Sequence, residues 1–348
     1  MKTALTYDDI QLVPAYSEIE SRQNISLETQ LTTNYKIKIP LIASPMDTVC
    51  DGVMAIAMAD LGGVGCIHRF MSIEQQSTEV LSVKHYIWNF WEDILGETYK
   101  EWQNVPIMAA VGANGDYLER AQELTKTGAN VILIDVAHGH HKFVRDAISN
   151  LKKYLPSHVD VIAGNVATQK GAIDLEFWGA DAIRVGIGGG SLCTTRMKTG
   201  FGVPNITSLE DCVDGVTVPV IACGGIRDSG DIAKALAVGA SSVILGSLLA
   251  GTKEAPGAII EKSNGLYKRY RGAASLETKT VHGQVQKNVE GESTIVPFKG
   301  SVNFTIERLL DGLRSALSYA GAHSLQQFHP EFIVVTSAGI QEARPHLL

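Results

Sequence analysis

The sequence predicts a closed (β/α)8 barrel of the TIM type, an α/β fold built as one domain with a mobile flap. Three observations predict it. Eight short β-branched runs recur along the chain, helical patterns separate them, and no GxGxxG follows the first run. Uninterrupted apolar strands alternating with helices imply a parallel sheet covered on its faces, and eight such units close a barrel. The missing glycine fingerprint counts against an open doubly wound sheet.

The runs are PLIAS (40–44), GVGCI (63–67), PIMAAVG (106–112), NVILID (130–135), VDVIAG (159–164), AIRVG (182–186), VPVIAC (218–223) and SSVILG (241–246). Helical patterns stand between them at 115–129 and 230–240, with Gly128 and Gly239 where a helix C-cap belongs. Residues 303–322 are amphipathic and supply the last barrel helix. Two segments break the repeat. Residues 84–105 hold three of the four Trp and read as an apolar helix packed on the barrel or on a subunit neighbour. Residues 273–303 hold few apolar residues and no clear period, which reads as a long irregular loop serving as a lid. The domain expectation is therefore one barrel over 1–348, an insert at 84–105 and a catalytic flap at 273–303.

Composition narrows the function classes. The 348 residues are 45% hydrophobic and 19% charged, as in a soluble globular chain rather than a disordered one. A net charge of −7 argues against nucleic acid or an anionic membrane as partner, but leaves small anions that backbone N–H groups can bind. No signal peptide and no run of 18 apolar residues is read, so a cytoplasmic location is expected. The five cysteines (Cys50, Cys66, Cys193, Cys212 and Cys223) are odd in number and contain no CxxC pair. That pattern fits neither a disulfide framework nor a zinc site.

In such a barrel the chemistry lies at the C-terminal strand ends. Those ends carry Ser44-Pro45-Met46-Asp47, His68-Arg69, Asp135 followed by AHGHH, Asn165, the loop GIGGGSLCTTR (186–196), Cys223-Gly224-Gly225 and Gly246-Ser247. Gly224-Gly225 and Gly246-Ser247 follow strands seven and eight, where barrels seat phosphate. Cys193 stands in a polar, glycine-rich loop opposite them and reads as a nucleophile. HGHH (138–141) has poor spacing for a metal centre and reads as a loop entering a helix.

These residues resemble the IMP dehydrogenase/GMP reductase family. The likeness runs through LTYDDIQLVPAYS, PLIASPMDTV, GGVGCIHRFMSIEQQ, DVAHGH, AGNVAT, VGIGGGSLCTTRMKTGFGVPNIT, GGIRDSGDIAKALAVGASSVILGSLLAGTKEAPG, YKRYRG and GLRSALSYAGA. The resemblance implies a purine nucleoside monophosphate substrate, a nicotinamide cofactor and a homotetramer. It implies that Cys193 attacks purine C2. Phosphate would sit against Ser191, Gly225, Gly246, Ser247 and Tyr270, with Gly224, Arg271 and Gly272 in the same elements. Ser44 and Met46 would touch the base or the sugar. Asp135 and Asn165, with Ala137 and Arg69 nearby, would receive the cofactor. Backbone carbonyls of Gly186, Gly188 and Cys193 match a monovalent-cation site, K⁺ in family members.

Within the family the chain looks closest to GMP reductase. The insert at 84–105 is too short for a CBS module, and residues 276–300 contain no Arg of the kind that activates water in the dehydrogenases. The flap carries Glu290 instead, which could hold Thr195 to relay a proton to a departing amine. The implied reaction converts GMP and NADPH to IMP, ammonia and NADP⁺. Two alternatives are oxidation of IMP to XMP with NAD⁺, and an inactive nucleotide-binding homologue. Two departures stand out. Cys223 replaces an Asp that grips the ribose hydroxyls in relatives, which opens dGMP (giving dIMP) as substrate. Gly189 replaces a usual Pro, loosening the loop.

Overall fold

The computed structural model describes residues 2–95, 104–283 and 287–343. Its centre is a closed ring of eight parallel strands: β1 Leu41–Ala43, β2 Val64–Ile67, β3 Met108–Val111, β4 Val131–Asp135, β5 Asp160–Val166, β6 Ala182–Val185, β7 Val220–Cys223 and β8 Ser242–Leu245. Neighbours in the ring follow chain order, and β8 closes on β1 through Val243↔Leu41, Ile244↔Ile42 and Leu245↔Ala43. Every run read from the sequence is one of these strands. Helices α1 Gly52–Asp60, α2 Ile73–Leu95, α3 Tyr117–Thr127, α4 Lys142–Tyr154, α5 Gln169–Phe177, α6 Asn205–Val213, α7 Ser229–Ala237 and α8 Val302–Tyr319 surround it. No helix among the described residues is long and apolar enough to cross a membrane.

Strand alternation divides the core in two. Ile42, Val64, Cys66, Met108, Ala110, Val131, Leu133, Ile162, Ala182, Ile221 and Ile244 fill the inside of the ring. The alternate residues, such as Leu41, Ala109, Ile132, Val161, Ile183 and Val243, pack outward against the helices. Local signals set the helix ends: Asp51, Thr168, Asp228 and Ser301 cap α1, α5, α7 and α8 with side-chain oxygens, and Gly128 ends α3 at φ 127°.

The described part of the segment 84–105 is helical, as the sequence reading has it, whereas the segment 273–303 is more ordered than that reading has it. The run at 84–105 begins as the last turns of α2, with Ile87 buried and Tyr86 donating to Asp60 Oδ2 at 2.8 Å. Its residues 96–103 lie outside the described ones. The segment 273–303 is not one loop. It holds a short helix, Leu276–Val281, and a strand, Ser293–Pro297. That strand pairs antiparallel with Gly265–Arg271, which also pairs with Ile260–Lys262. Backbone hydrogen bonds to a neighbouring strand, rather than an apolar period, order it.

The N-terminal end of the barrel is stoppered by a hairpin of Thr29–Gln30 with Lys36–Ile37, whose Leu31, Tyr35 and Ile37 join the interior cluster. Asp160, fully buried at the start of β5, ties it down. It accepts from Thr32 Oγ1 at 2.6 Å, Asn34 N at 3.0 Å and Asn34 Nδ2 at 2.7 Å. Removing a buried carboxylate leaves three donors without their acceptor. Asp160→Ala is expected to lose about 2–4 kcal/mol of unfolding free energy in urea titrations, and Asp160→Asn less. A loss for the alanine variant under about 1 kcal/mol would show that the hairpin is held by its apolar contacts instead.

Candidate active site

Parity also decides what stands at the mouth of the barrel. Continuing the inward-facing series past the apolar layers brings Ser44, His68, Asp135, Arg184 and Cys223 to the C-terminal end. A guanidinium there must be paired, because an isolated buried charge is costly. Arg184, buried on β6, donates from NH1 to Asp135 Oδ1 at 2.5 Å and from Nε to Cys223 Sγ at 3.2 Å. Burial works against its charge; the Cys223 sulfur and the Asp135 carboxylate outweigh that and hold it protonated. These side chains floor a cavity of about 460 Å³, also lined by the loop after β6 and by the segment after Tyr270.

That loop runs over Gly186–Arg196 and needs its glycines. Gly186 has φ 136°, and a Cβ on it would stand 2.0 Å from the Cys223 carbonyl oxygen. Gly188 has φ 82°, and its Cβ would meet the Arg196 side chain at 2.6 Å. The tight bend delivers Cys193, half-buried, to the cavity wall. Its Sγ donates to Thr195 Oγ1 at 3.2 Å, and Thr195 Oγ1 donates to Glu290 Oε2 at 2.8 Å. Main-chain bonds hold Glu290 there: Thr194 N donates to Glu290 O at 2.9 Å, and Glu292 N to Leu192 O at 2.9 Å. Cys50 and Cys66 are fully buried, and burial pushes both thiols up; Cys212 is pushed up to about 12. Cys193 and Cys223 are the cysteines that line the cavity.

Across the cavity, Gly224, Gly225, Gly246 and Ser247 form a concave backbone surface. Ser191 Oγ and Tyr270 Oη lie 3.1 Å apart beside it, and a Cβ on Gly246 would sit 3.1 Å from that phenol oxygen. Gly225 has no room either, since its Cβ would be 2.7 Å from Asn205 Nδ2. Ser44, Met46 and Gly272 complete the lining. Arg271, grouped with the phosphate element in the sequence, goes elsewhere. Its guanidinium binds Asp47 Oδ2 at 2.9 and 2.6 Å and Glu277 at 3.3 Å, and it does not line the cavity. His282 Nε2 meets the same Asp47 oxygen at 2.7 Å. Asp47 thus fastens the covering segment to the loop after β1.

Beside Asp135 the cavity is also lined by Ala137 and Asn165, the last donating from Nδ2 to Gly186 O at 2.7 Å. That bond occupies one of the carbonyls matched to a monovalent-cation site. Arg69 lies between this cavity and a second, more polar one of about 370 Å³ that includes Ser72, Asn114 and Arg120. Two cavities that share Arg69 and Phe70 in their lining suit a long anionic dinucleotide. The HGHH stretch is absorbed locally: His141 caps α4, and His140 Nε2 meets Asp174 Oδ2 at 2.8 Å. No group of three His, Cys, Asp or Glu among the described residues could hold a metal ion.

The sequence reading passes over Arg184 and His282 and gives Asp47 a place but no role. A signal existed for Arg184: a charged residue inside the apolar run AIRVG has to find a partner. None existed for the Asp47–His282 contact, which joins residues 235 positions apart.

Comparison with known proteins agrees with the fold. The IMP dehydrogenase / GMP reductase domain matches residues 4–346. An inosine-5′-monophosphate dehydrogenase of Cryptosporidium parvum is 40% identical, covering 98% of this chain and 94% of the relative. One from Nitrosopumilus maritimus is 35% identical over 469 aligned positions, covering 99% and 98%, so the relative carries segments this chain lacks. A GMP reductase of Leishmania major is 32% identical, covering 98% and 96%.

His68 supplies a pH signature. It is buried, its Nδ1 accepts from Phe70 N at 3.1 Å, and its pKa is lowered to about 4. Burial is the main cause; His282 and Arg271 add to it and Asp47 opposes it. The native state therefore binds fewer protons than the unfolded chain, so the stability this ring contributes is present above about pH 6.5 and is lost toward pH 4. The wild type is expected to lose about 3 kcal/mol more than His68→Asn over that window in denaturant titrations. Parallel pH profiles for the two proteins would refute it.

Proposed function

Because the chain belongs to the IMP dehydrogenase / GMP reductase family, we propose that it reductively deaminates a guanine nucleoside 5′-monophosphate with NADPH. The family's oxidoreductases act on purine nucleoside monophosphates with NAD(P)(H). The observation that carries the reductase reading is the relay Cys193–Thr195–Glu290, with hydrogen bonds of 3.2 and 2.8 Å pointing from thiol to hydroxyl to carboxylate.

The direction of those bonds gives a balanced path. The thiol proton passes through the Thr195 hydroxyl to Glu290, and the Cys193 thiolate adds to C2 of the purine. The proton returns by the same route to the exocyclic amine, which departs as ammonia and leaves the purine joined to sulfur as a thioimidate. A dinucleotide bound beside Asp135, Ala137 and Asn165 would supply hydride. Hydride at C2 expels the thiolate, which regains a proton from solvent, so the net reaction consumes one NADPH and one proton. Asp135, Ala137 and Asn165 would line the nicotinamide face, with Arg69 at the turn toward the second cavity. No Arg lies between Arg271 and Arg308, so the covering segment offers no guanidine base to make hydroxide. Exclusion of water favours hydride transfer.

The names of the Cryptosporidium and Nitrosopumilus relatives favour a second reading, oxidation of IMP to XMP with NAD⁺. Absorbance at 340 nm separates the two. The reductase reading expects NADPH consumption with a guanine nucleotide and stoichiometric ammonia; NADH formation from IMP would replace it. Cys193→Ala is expected to abolish turnover while the protein stays folded. Glu290→Gln is expected to lower kcat by about 10²–10⁴-fold, with KM little changed.

A further inference from the structure

We propose that the cavity is built for a 2′-deoxyribose nucleotide, with Cys223 as the residue that sets the sugar preference. This rests on the nucleotide reading above and names the substrate class of the same site.

Position comes first. Cys223 ends β7, faces inward, and immediately precedes the Gly224-Gly225 part of the cradle. A nucleotide with its phosphate on that cradle and C2 at Cys193 has one methylene between phosphate and sugar. Its sugar must therefore cross the strand ends at Cys223.

The chemistry there is unsuited to a vicinal diol. Two adjacent hydroxyls are best held by a carboxylate, which can accept both O–H groups. Among the described residues lining the cavity, the acids are Asp135 and Glu290. Asp135 is bound by Arg184 at 2.5 Å, with Arg69 Nε 3.9 Å away, and Glu290 is bound by Thr195 at 2.8 Å. Arg184 itself only donates. The group that faces the sugar is a thiol whose sulfur already accepts from Arg184 Nε at 3.2 Å, and a thiol is a weak partner in either role. A 2′-hydroxyl brought against it gives up its water and gains little. A deoxy sugar has nothing to give up at that carbon. The sugar meets the same thiol whether the base is reduced or oxidised.

The test is a comparison of kcat/KM at 340 nm for GMP against dGMP with NADPH, and for IMP against dIMP with NAD⁺. The deoxynucleotide is expected to be preferred by about 10–100-fold, the discrimination one uncompensated hydroxyl provides. Cys223→Asp, which restores two acceptor oxygens beside Arg184, is expected to move the ratio at least about tenfold toward the ribonucleotide. Preference for the ribonucleotide in wild-type protein overturns the inference, as does a ratio that a folded Cys223→Asp variant leaves unchanged. The reductase reading fails separately, if turnover occurs only with IMP or dIMP. If no nucleotide turns over, calorimetric titration with GMP and dGMP decides: tighter dGMP binding supports the inference, and equal or weaker binding overturns it.

Discussion

A buried guanidinium governs the floor of this site. Arg184 lies on a strand whose neighbours are apolar, and it is buried at the bottom of the cavity. Its two bonds, to Asp135 and to the Cys223 sulfur, make the charge tolerable and fix two strands' terminal side chains at once. Everything above the floor is loop. The Gly186–Arg196 bend packs its glycines on the Cys223 and Gly224-Gly225 backbone, so the nucleophilic loop takes its height from the strand that Arg184 anchors. A group that costs so much to bury is better explained by what it positions than by any stability it adds.

The two ends of the barrel are built on different principles. At the N-terminal end one carboxylate, Asp160, gathers three donors from a hairpin and seals apolar side chains beneath it. At the C-terminal end the loops lining the cavity are rich in glycine, from Gly186 through Gly190 and at Gly224, Gly225 and Gly246. Stability and chemistry are thereby separated along the axis of one fold, and the loops can differ among relatives while the ring persists.

The barrel was legible because strand and helix signals are local. Each apolar run and each cap is written in neighbouring residues, and Gly128 ends its helix where the sequence says it should. The Cys193 loop and the paired glycines were legible for the same reason. The covering segment was not, because its order comes from pairing with Gly265–Arg271 and with the Cys193 loop, and its apolar content is low. Arg271 was misplaced for a related reason: adjacency to Tyr270 suggested a shared task, whereas strand alternation sends neighbouring side chains to opposite faces. Asp47, which receives it, lies 224 residues away.

The short ladder between Leu192–Thr194 and Glu290–Glu292 carries a consequence for how this chain can diverge. Thr195 and Glu290 are 95 residues apart, yet they meet through a main-chain register and not through packing of bulky side chains. A register of period two has no half-measures: a single-residue insertion upstream of Gly291 that slid the ladder by one step would turn Glu290 away and present its neighbour Val289 or Gly291. Side-chain identity in this segment can drift widely, as its composition suggests. The register of that ladder cannot, because the Glu290 carboxylate reaches Thr195 only while Thr194 pairs with Glu290 and Glu292 with Leu192.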